Sequence, residues 1–499
     1  MRHYISIAVA AVILGTTASA TTAASATTAA SATTAASAAE LTYKVVDTGQ
    51  TLFYDNTNTI KQPKMGEAFY GQDAHYNTGT PSYTDNGDGT ITDNVTGLMW
   101  QKAFQLLTYN EAAELARKSK LAGHKDWRVP SIKEAYSLIL FSGVDASGRD
   151  MSVVPEGAIP FIATDYFDFA YGSNGTRVID TQMLSETKSI GSMNGRMQMV
   201  FGVNMADGRI KSYPLNARDG EKKFTVRFVR GADYGVNKFK ANKNGTVSDE
   251  ATGLMWQQED SGKGLNWADA LEYAAKMNKK KMGGYSDWRL PNAKELQSII
   301  DYSRSPESSN SAAIDPVFTI SSIKNEKGEQ DYPYFWSSTT HVAAALRGGG
   351  GGAAAYLCFG RGMGNIQMGQ GGFGGGQMRQ GGGNGGNSGG QRGGNGGGYG
   401  GGGNQQYSQQ MQQGGGNMRG GNSGGYGGNS GGQRSQQMGG GAPNGAGSSN
   451  TNWIDIHGAG SQRSDPKSGD PEQYLTGRGP QGDAIRIKNY VRLVRTEIK

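Results

Sequence analysis

The sequence contains a single cysteine, Cys358, among 499 residues. No intrachain disulfide can form, so stability has to come from the core. Cys358 sits in the apolar run "AAAYLCFG", where a buried, inert thiol is the expected state. Long hydrophobic runs are missing as well. The apolar stretch Ile5–Leu14 is too short to cross a bilayer and no later segment approaches the required length, so no transmembrane segment is expected. Nor does the chain carry G-x-S-x-G, H-E-x-x-H or a phosphate loop. His341, Cys358 and His457 match no metal-ligand spacing. These absences point to a non-enzymatic protein with no catalytic residues, no metal and no cofactor.

Acidic residues are absent from one long region. Residues 361–450 hold five arginines (361, 379, 392, 419 and 434) and no aspartate or glutamate. The whole chain has a net charge of +6, so the remainder carries only +1, and the basicity belongs to this region rather than to a binding face. The region is built of Gly, Asn, Gln, Ser and Met, too little apolar surface to offset chain entropy, and is expected to be disordered. Arg-Gly-Gly at 347–349, 392–394 and 419–421, with Tyr399, Tyr407 and Tyr426 interspersed, is a pattern found in RNA binding. Five arginines in ninety residues are sparse for that, and nucleic acid ranks below a flexible loop or an adhesive, self-associating segment.

The N-terminus reads as an export signal over residues 1–20: Arg2 and His3, the apolar Ile5–Leu14, then Ala18-Ser19-Ala20. Three TTAASA hexamers at 21–38 repeat the A-S-A tripeptide, leaving the cleavage point open up to Ala38 and making 21–39 a spacer. A secreted, periplasmic or cell-surface location follows.

What the chain does have is a long internal repeat. Thr96–Gln101 and Thr252–Gln257 are both TGLMWQ, and Asp126–Pro130 (DWRVP) is answered by Asp287–Pro291 (DWRLP). Lys133-Glu134 recurs as Lys294-Glu295, and both copies end on similar strands, "FTVRFVRG" and "YVRLVR". The copies span 82–231 and 235–496, with 40–81 as a lead-in and 361–450 interrupting the second. Thr108…Glu111 and Ser131…Glu134 are capping boxes that start two helices, and Asn266…Asp269 and Asn292…Glu295 hold the same places in the second copy. Asp207-Gly208 marks a hairpin turn within the strands that follow. Each copy is therefore α+β, with the last strand returning to the first, and the insert is an overgrown version of the Phe201–Tyr213 hairpin loop.

At TGLMWQ, DWR[VL]P and "KEAYSLI", the chain resembles a bacterial domain family named after the C-terminal domain of the Legionella collagen-like adhesin. The stretch "VDTGQTLFYDN…GEAFYGQDAHY" at 46–76 is similar to the lead-in of many members. Some members carry cysteines there; Phe53 and Gln62 stand in their place, so any such disulfide is lost. The resemblance implies two tandem C-type-lectin-like, or formylglycine-generating-enzyme-like, domains with a disordered Gly-rich loop in the second. It implies an envelope or extracellular protein and, from the namesake, binding to sulfated polysaccharide. It brings no catalytic residues, and one cysteine cannot supply the two-thiol chemistry of a formylglycine-generating enzyme.

Several residues then compete for function. Trp100, Trp127, Trp256 and Trp288 could stack on sugar rings, but their place in the repeated framework favours the core. The Asp126-Trp127-Arg128 and Asp287-Trp288-Arg289 triplets are expected to hold ion pairs or cap a following turn. "DNGDGTITD" resembles a calcium loop, yet its spacing fails the EF-hand pattern and the second copy, "NKNGTVSDE", drops Asp85 and Asp88; a hairpin turn is the better reading. The most site-like stretch is "WIDIHGAGSQRSDPKSGDP" at 453–471, read as a polar loop in which His457, Arg463, Asp465, Lys467 and Asp470 bind a ligand. The leading expectation is an adhesin-like binding protein for acidic or sulfated polysaccharide; a self-associating matrix protein is the alternative.

Overall fold

The computed structural model describes residues 41–366 and 452–497, apart from 78, 174–175, 218–219, 346–349 and 479–481. The signal and spacer segments, and the insert from 367 to 450, lie outside the described residues.

Both repeats open on the same hairpin. In the first, β1 (Tyr83–Asp85) and β2 (Thr90–Asp93) flank a turn in which Gly87 and Gly89 take φ of 75° and 85°, a conformation that favours glycine. The aspartates serve this turn. Asp85 Oδ1 accepts from the Gly87 N–H, and Asp88 Oδ1 accepts from the N–H and hydroxyl of Thr90. β3 (Met99–Gln101) then pairs with β9 (Val229–Arg230), Trp100 opposite Val229. The second repeat builds β10 (Phe239–Ala241), β11 (Thr246–Asp249) and β12 (Leu254–Gln257), and closes with β18 (Val494–Thr496), Trp256 opposite Val494. The last strand returns to the opening sheet in both copies, pairing with its third strand rather than its first.

The four α-helices among the described residues begin at their capping residues. Thr108 and Glu111 cap α1 (Tyr109–Lys118), Ser131 and Glu134 cap α2 (Ile132–Ser137), and Asn292 and Glu295 cap α4 (Ala293–Ser298), each as a reciprocal box. Asn266 caps α3 (Trp267–Lys279) by accepting from Asp269.

The remaining long strands join into one sheet. They are β4 (Gln105–Leu107), β5 (Gln182–Ser189), β6 (Met199–Asn204), β7 (Arg209–Pro214) and β8 (Phe224–Val226) from the first repeat, and β13 (Tyr334–His341), β14 (Ala353–Cys358) and β17 (Gln462–Pro466) from the second. Their order is β13-β14-β17-β7-β6-β5-β8-β4, antiparallel except for β5 with β8. The repeats meet between β7 and β17, where Ile210 pairs with Gln462. Val203 faces Ile210 in one hairpin and Leu357 faces Gln462 in the other, so equivalent positions meet across a local two-fold axis. The contacts around that axis are reciprocal. Lys133 Nζ donates to the Ser298 carbonyl at the end of α4, and Lys294 Nζ donates to the Ser137 carbonyl at the end of α2.

One sheet face is covered by α2 and α4, with Tyr136, Met183, Phe201 and Val203 in the first repeat and Leu296, Phe335 and Leu357 in the second. The other face is covered at one end by α1 and Trp127 and at the opposite end by α3 and Trp288. The architecture is mixed and mostly sheet with few helices.

Two departures from the sequence reading stand out. Residues Arg361–Asn365, counted there with the insert, belong to the fold. Arg361 pairs with Glu307, and β15 (Met363–Asn365) is antiparallel to β16 (Trp453–Asp455). The insert thus leaves and re-enters through a closed strand pair between β14 and β17, the place where Met205–Gly208 joins β6 to β7. The lead-in, for its part, is built into the seam between repeats. Gln50 Nε2 donates to Phe141 in one repeat and Thr340 in the other, and Asp73 Oδ2 accepts from Thr48 and Thr339. Phe53 packs edge-on against His75.

Candidate functional site

The stretch 453–471 is no loop. It contains β16 and β17, and β17 lies in the middle of the eight-stranded sheet. His457, Arg463, Asp465 and Lys467 are buried; Asp470 alone is exposed, and its carboxylate caps the short turn at Pro471. The structure brings His457 and Arg463 together on Asp483, with His457 Nε2 2.7 Å from Asp483 Oδ1. Burial, with Arg463, Lys211 and Arg209 nearby, holds the imidazole neutral. Asp465 turns elsewhere, accepting from the Arg486 and Ile487 N–H groups and from Asn489; burial raises its carboxyl to about 6. Lys467 Nζ donates to the Asp55 carbonyl of the lead-in and lies 3.9 Å over the Trp267 ring, where burial lowers its pKa strongly. Composition misleads because a Gly/Ser-rich, charged segment normally stays in water; here His457 and Arg463 meet the Asp483 carboxylate, while Asp465 and Lys467 are held by backbone groups, Asn489 and the Trp267 ring.

The D-W-R triplets form a frame shared by both repeats. Arg128 grips Glu134 through two hydrogen bonds of 2.5 and 2.6 Å, and Arg289 grips Glu295 with the same geometry. Those glutamates also close the capping boxes of α2 and α4, so each pair ties a strand to a helix start. Asp126 pairs with Arg230 and Asp287 with Arg495, fastening the triplet to the last strand of its repeat. Trp100, Trp127, Trp256 and Trp288 are buried, which removes them as sugar platforms in this conformation. Cys358 is fully buried, and burial pushes its thiol up to about 12.

The framework tryptophans do position a surface feature that motif reading passed over. Trp127 Nε1 donates to the Leu121 carbonyl and Trp288 Nε1 to the Met282 carbonyl, pinning the turn that follows α1 and α3. In the second repeat Lys279 ends α3 and the turn carries Lys280 and Lys281, all exposed. The opening hairpin turn lies against it, since Asn244 Nδ2 donates to the Gly283 carbonyl, and this adds exposed Lys243. Among the described residues no carboxylate lies within ion-pair distance of these four lysines, whereas neighbouring Lys276 is paired with Glu272. The first repeat has a weaker version. Arg117, Lys120 and Lys125 are exposed without a paired carboxylate, Lys118 is paired with Glu114, and the adjacent turn carries Asp88 where the second repeat has Asn244. Basic residues at a helix C-terminus gain from the helix dipole, which favours those in the last turn. It does not require three consecutive lysines running past it.

The family model of the Lcl C-terminal domain matches residues 89–230 and 245–370, more than half of the chain and in two copies. The chain belongs to the Lcl C-terminal domain family. No curated protein and no solved structure matches it. The second Lcl match ends at 370, although the repeat is completed by β16, β17 and β18 beyond the insert. In both Lcl repeats the basic corner falls between the end of the first helix and the D-W-R triplet. The signal for it was visible in the sequence as "RKSKLAGHKDW" and "NKKKMGGYSDW" at matching positions, obscured because the total charge was assigned to the insert.

Proposed function

We propose that this Lcl-domain protein is an exported, non-enzymatic binding protein with lectin-like domains that takes up acidic polysaccharide on the lysine corner of its second repeat. The observation that carries the reading is the set of four exposed lysines without a carboxylate partner among the described residues: Lys279 at the end of α3, Lys280 and Lys281 on the turn that Trp288 fixes, and Lys243 on the hairpin turn beside it. A cluster of like charge on a rigid support attracts a polyanion over a distance set by the Debye length, about 8 Å at physiological salt. The family resemblance to a sulfated-polysaccharide adhesin and the export signal agree with it. Arg463 and Lys467, the polar contacts expected from sequence, are replaced in this role because both are buried and held by the chain itself.

The test is retention on immobilised heparin. Wild-type protein is expected to elute at a salt concentration that falls sharply for the triple variant K279E/K280E/K281E. Retention unchanged by that triple reversal, with the fold intact, would sink the reading.

A further inference from the structure

A lysine, an amide and a carboxylate meet where the two repeats join. Lys133 lies on α2, and its Nζ donates to Asn237 Oδ1, in the connector ahead of β10, at 2.9 Å. Asn237 Nδ2 donates in turn to Asp249 Oδ2 at 2.8 Å and to the Tyr43 hydroxyl at 3.1 Å. Asp249, at the end of β11, is fully buried. The two-fold relation supplies a comparison. Lys294 and Asp93 are the equivalent lysine and carboxylate, but Lys294 Nζ donates to the backbone carbonyls of Asp47 and Ser137. Asp93 Oδ2 has no hydrogen-bond partner among the described residues. An amide stands between lysine and carboxylate at Lys133 alone of the two.

We infer that Lys133 and Asn237 form an intramolecular isopeptide bond that staples the first repeat to the second. Nζ attacks Cγ, the new C–N bond forms, the Cγ–Nδ2 bond breaks, and Nδ2 leaves as ammonia. The proton that Nδ2 gains is the one the amine loses, handed across by Asp249, which already holds Nδ2 within the reach of a general acid–base group. The exchange is redox-neutral. A C=O bond is about 1.2 Å long, so Cγ lies no more than about 4.1 Å from Nζ, and a small rotation brings it to the attack distance of about 3–3.5 Å. Gly235, Asn237 and Ser298 offer Nζ three acceptors, which suits an ammonium. Burial opposes that charge and lowers the amine to about 8, with Asp249 and Asp301 partly offsetting it, so the nucleophilic neutral form is accessible. A cavity of about 10 Å³, lined by Lys133, Tyr43, Tyr234, Gly235 and Ser298, has room for one water-sized molecule such as the ammonia released. The link closes a loop of 104 positions in a chain whose single cysteine permits no intrachain disulfide.

Tryptic digestion and mass spectrometry of the purified full chain test this. The expected result is a chain left uncut after Lys133 and a branched peptide joining Lys133 to Asn237, lighter than the sum of its two parts by one ammonia. Lys133→Arg keeps the cation and Asn237→Ala removes the amide; both are expected to give unbranched peptides only, and either suffices if the other fails to fold. Asp249→Asn keeps both reacting groups, and in it the rate of linkage is expected to fall by about 10²-fold or more. Wild-type protein that is folded by circular dichroism, held at about pH 9 where the amine is mostly neutral, and still yields separate Lys133 and Asn237 peptides overturns the inference. So does a branched peptide that forms as fast in Asp249→Asn, since the proton would then need another route.

Discussion

The two repeats make the same Arg–Glu clamp in different surroundings. In the first, the Arg128 side chain is 32% exposed; in the second, Arg289 is 6% exposed and Glu295 fully buried. The difference comes from the lead-in. Tyr76 sets its ring 5.1 Å from the Arg289 guanidinium, and Asp73 and Gln50 close the seam beside it. A duplicated element thus stays a half-solvated clasp in one copy and becomes a buried ion pair in the other, because only one copy receives the N-terminal segment. The frame is inherited by both repeats, and its energetics are set by what covers it.

Removing one partner of a buried ion pair leaves an uncompensated charge in the interior, which costs about 3–5 kcal/mol, whereas a partly exposed partner is rescued by water. Glu295→Ala is therefore expected to destabilise the protein by about 3–5 kcal/mol and Glu134→Ala by roughly half as much or less. Both lose a capping box, so the cap cancels in the comparison. Denaturant unfolding of the two variants measures it, and equal losses would show that the lead-in cover does not distinguish the repeats.

Tyr76→Ala sharpens the same contrast. A desolvated cation–π contact is worth up to about 2 kcal/mol, and the substitution also lets water reach Arg289. A double-mutant cycle with Glu295→Ala is expected to show coupling; additive losses would mean that Tyr76 contributes packing alone. The pH dependence of the seam has two arms. Burial lowers Lys294 to about 7, against partial compensation by Asp47, Asp93 and Asp73. The unfolded chain then binds more protons than the folded one above pH 7, so this group makes stability rise between about pH 7 and 9, by at most roughly 1.4 kcal/mol per pH unit. Burial raises Asp73 to about 7, with Asp47 adding to the effect, so its contribution falls as pH climbs from 4 to 7. Lys294→Met should flatten the alkaline arm and Asp73→Asn the acidic one, read as unfolding midpoints across pH. An alkaline arm unchanged in Lys294→Met would show that the amine is not held neutral.

Much of the frame was legible before any coordinates. TGLMWQ, D-W-R and the Thr108, Ser131 and Asn292 caps are local signals, complete within a few residues, and they placed helices, hairpins and the strand that returns. The seam was not legible, since nothing in "VDTGQTLFYDN" says that its backbone and Gln50 will reach residues nearly three hundred positions away. The same blindness put Arg463, Asp465 and Lys467 on a surface loop. Their partners, the Asp483 carboxylate, the Asn489 amide and the Asp55 backbone carbonyl, lie 20, 24 and 412 positions away, and a charged residue looks solvated until the group that holds it is found.

The smallest effect expected concerns the basic corners, and it separates stability from binding. Lys279, Lys280 and Lys281 are exposed and make no carboxylate pair, so K279E/K280E/K281E should cost the fold no more than about 1 kcal/mol, most of it from lost complementarity with the α3 dipole. R117E/K120E/K125E should cost less still, because Arg117 alone of the three lies within α1, while Lys120 and Lys125 lie beyond it. If chemical unfolding shows the second-repeat reversal costing several kcal/mol, those lysines support the fold through contacts with water excluded, and weaker heparin retention would report damage rather than a lost site. A loss of retention with near-unchanged unfolding assigns the lysines to ligand, and leaves the buried arginines and tryptophans of each repeat to hold them in place.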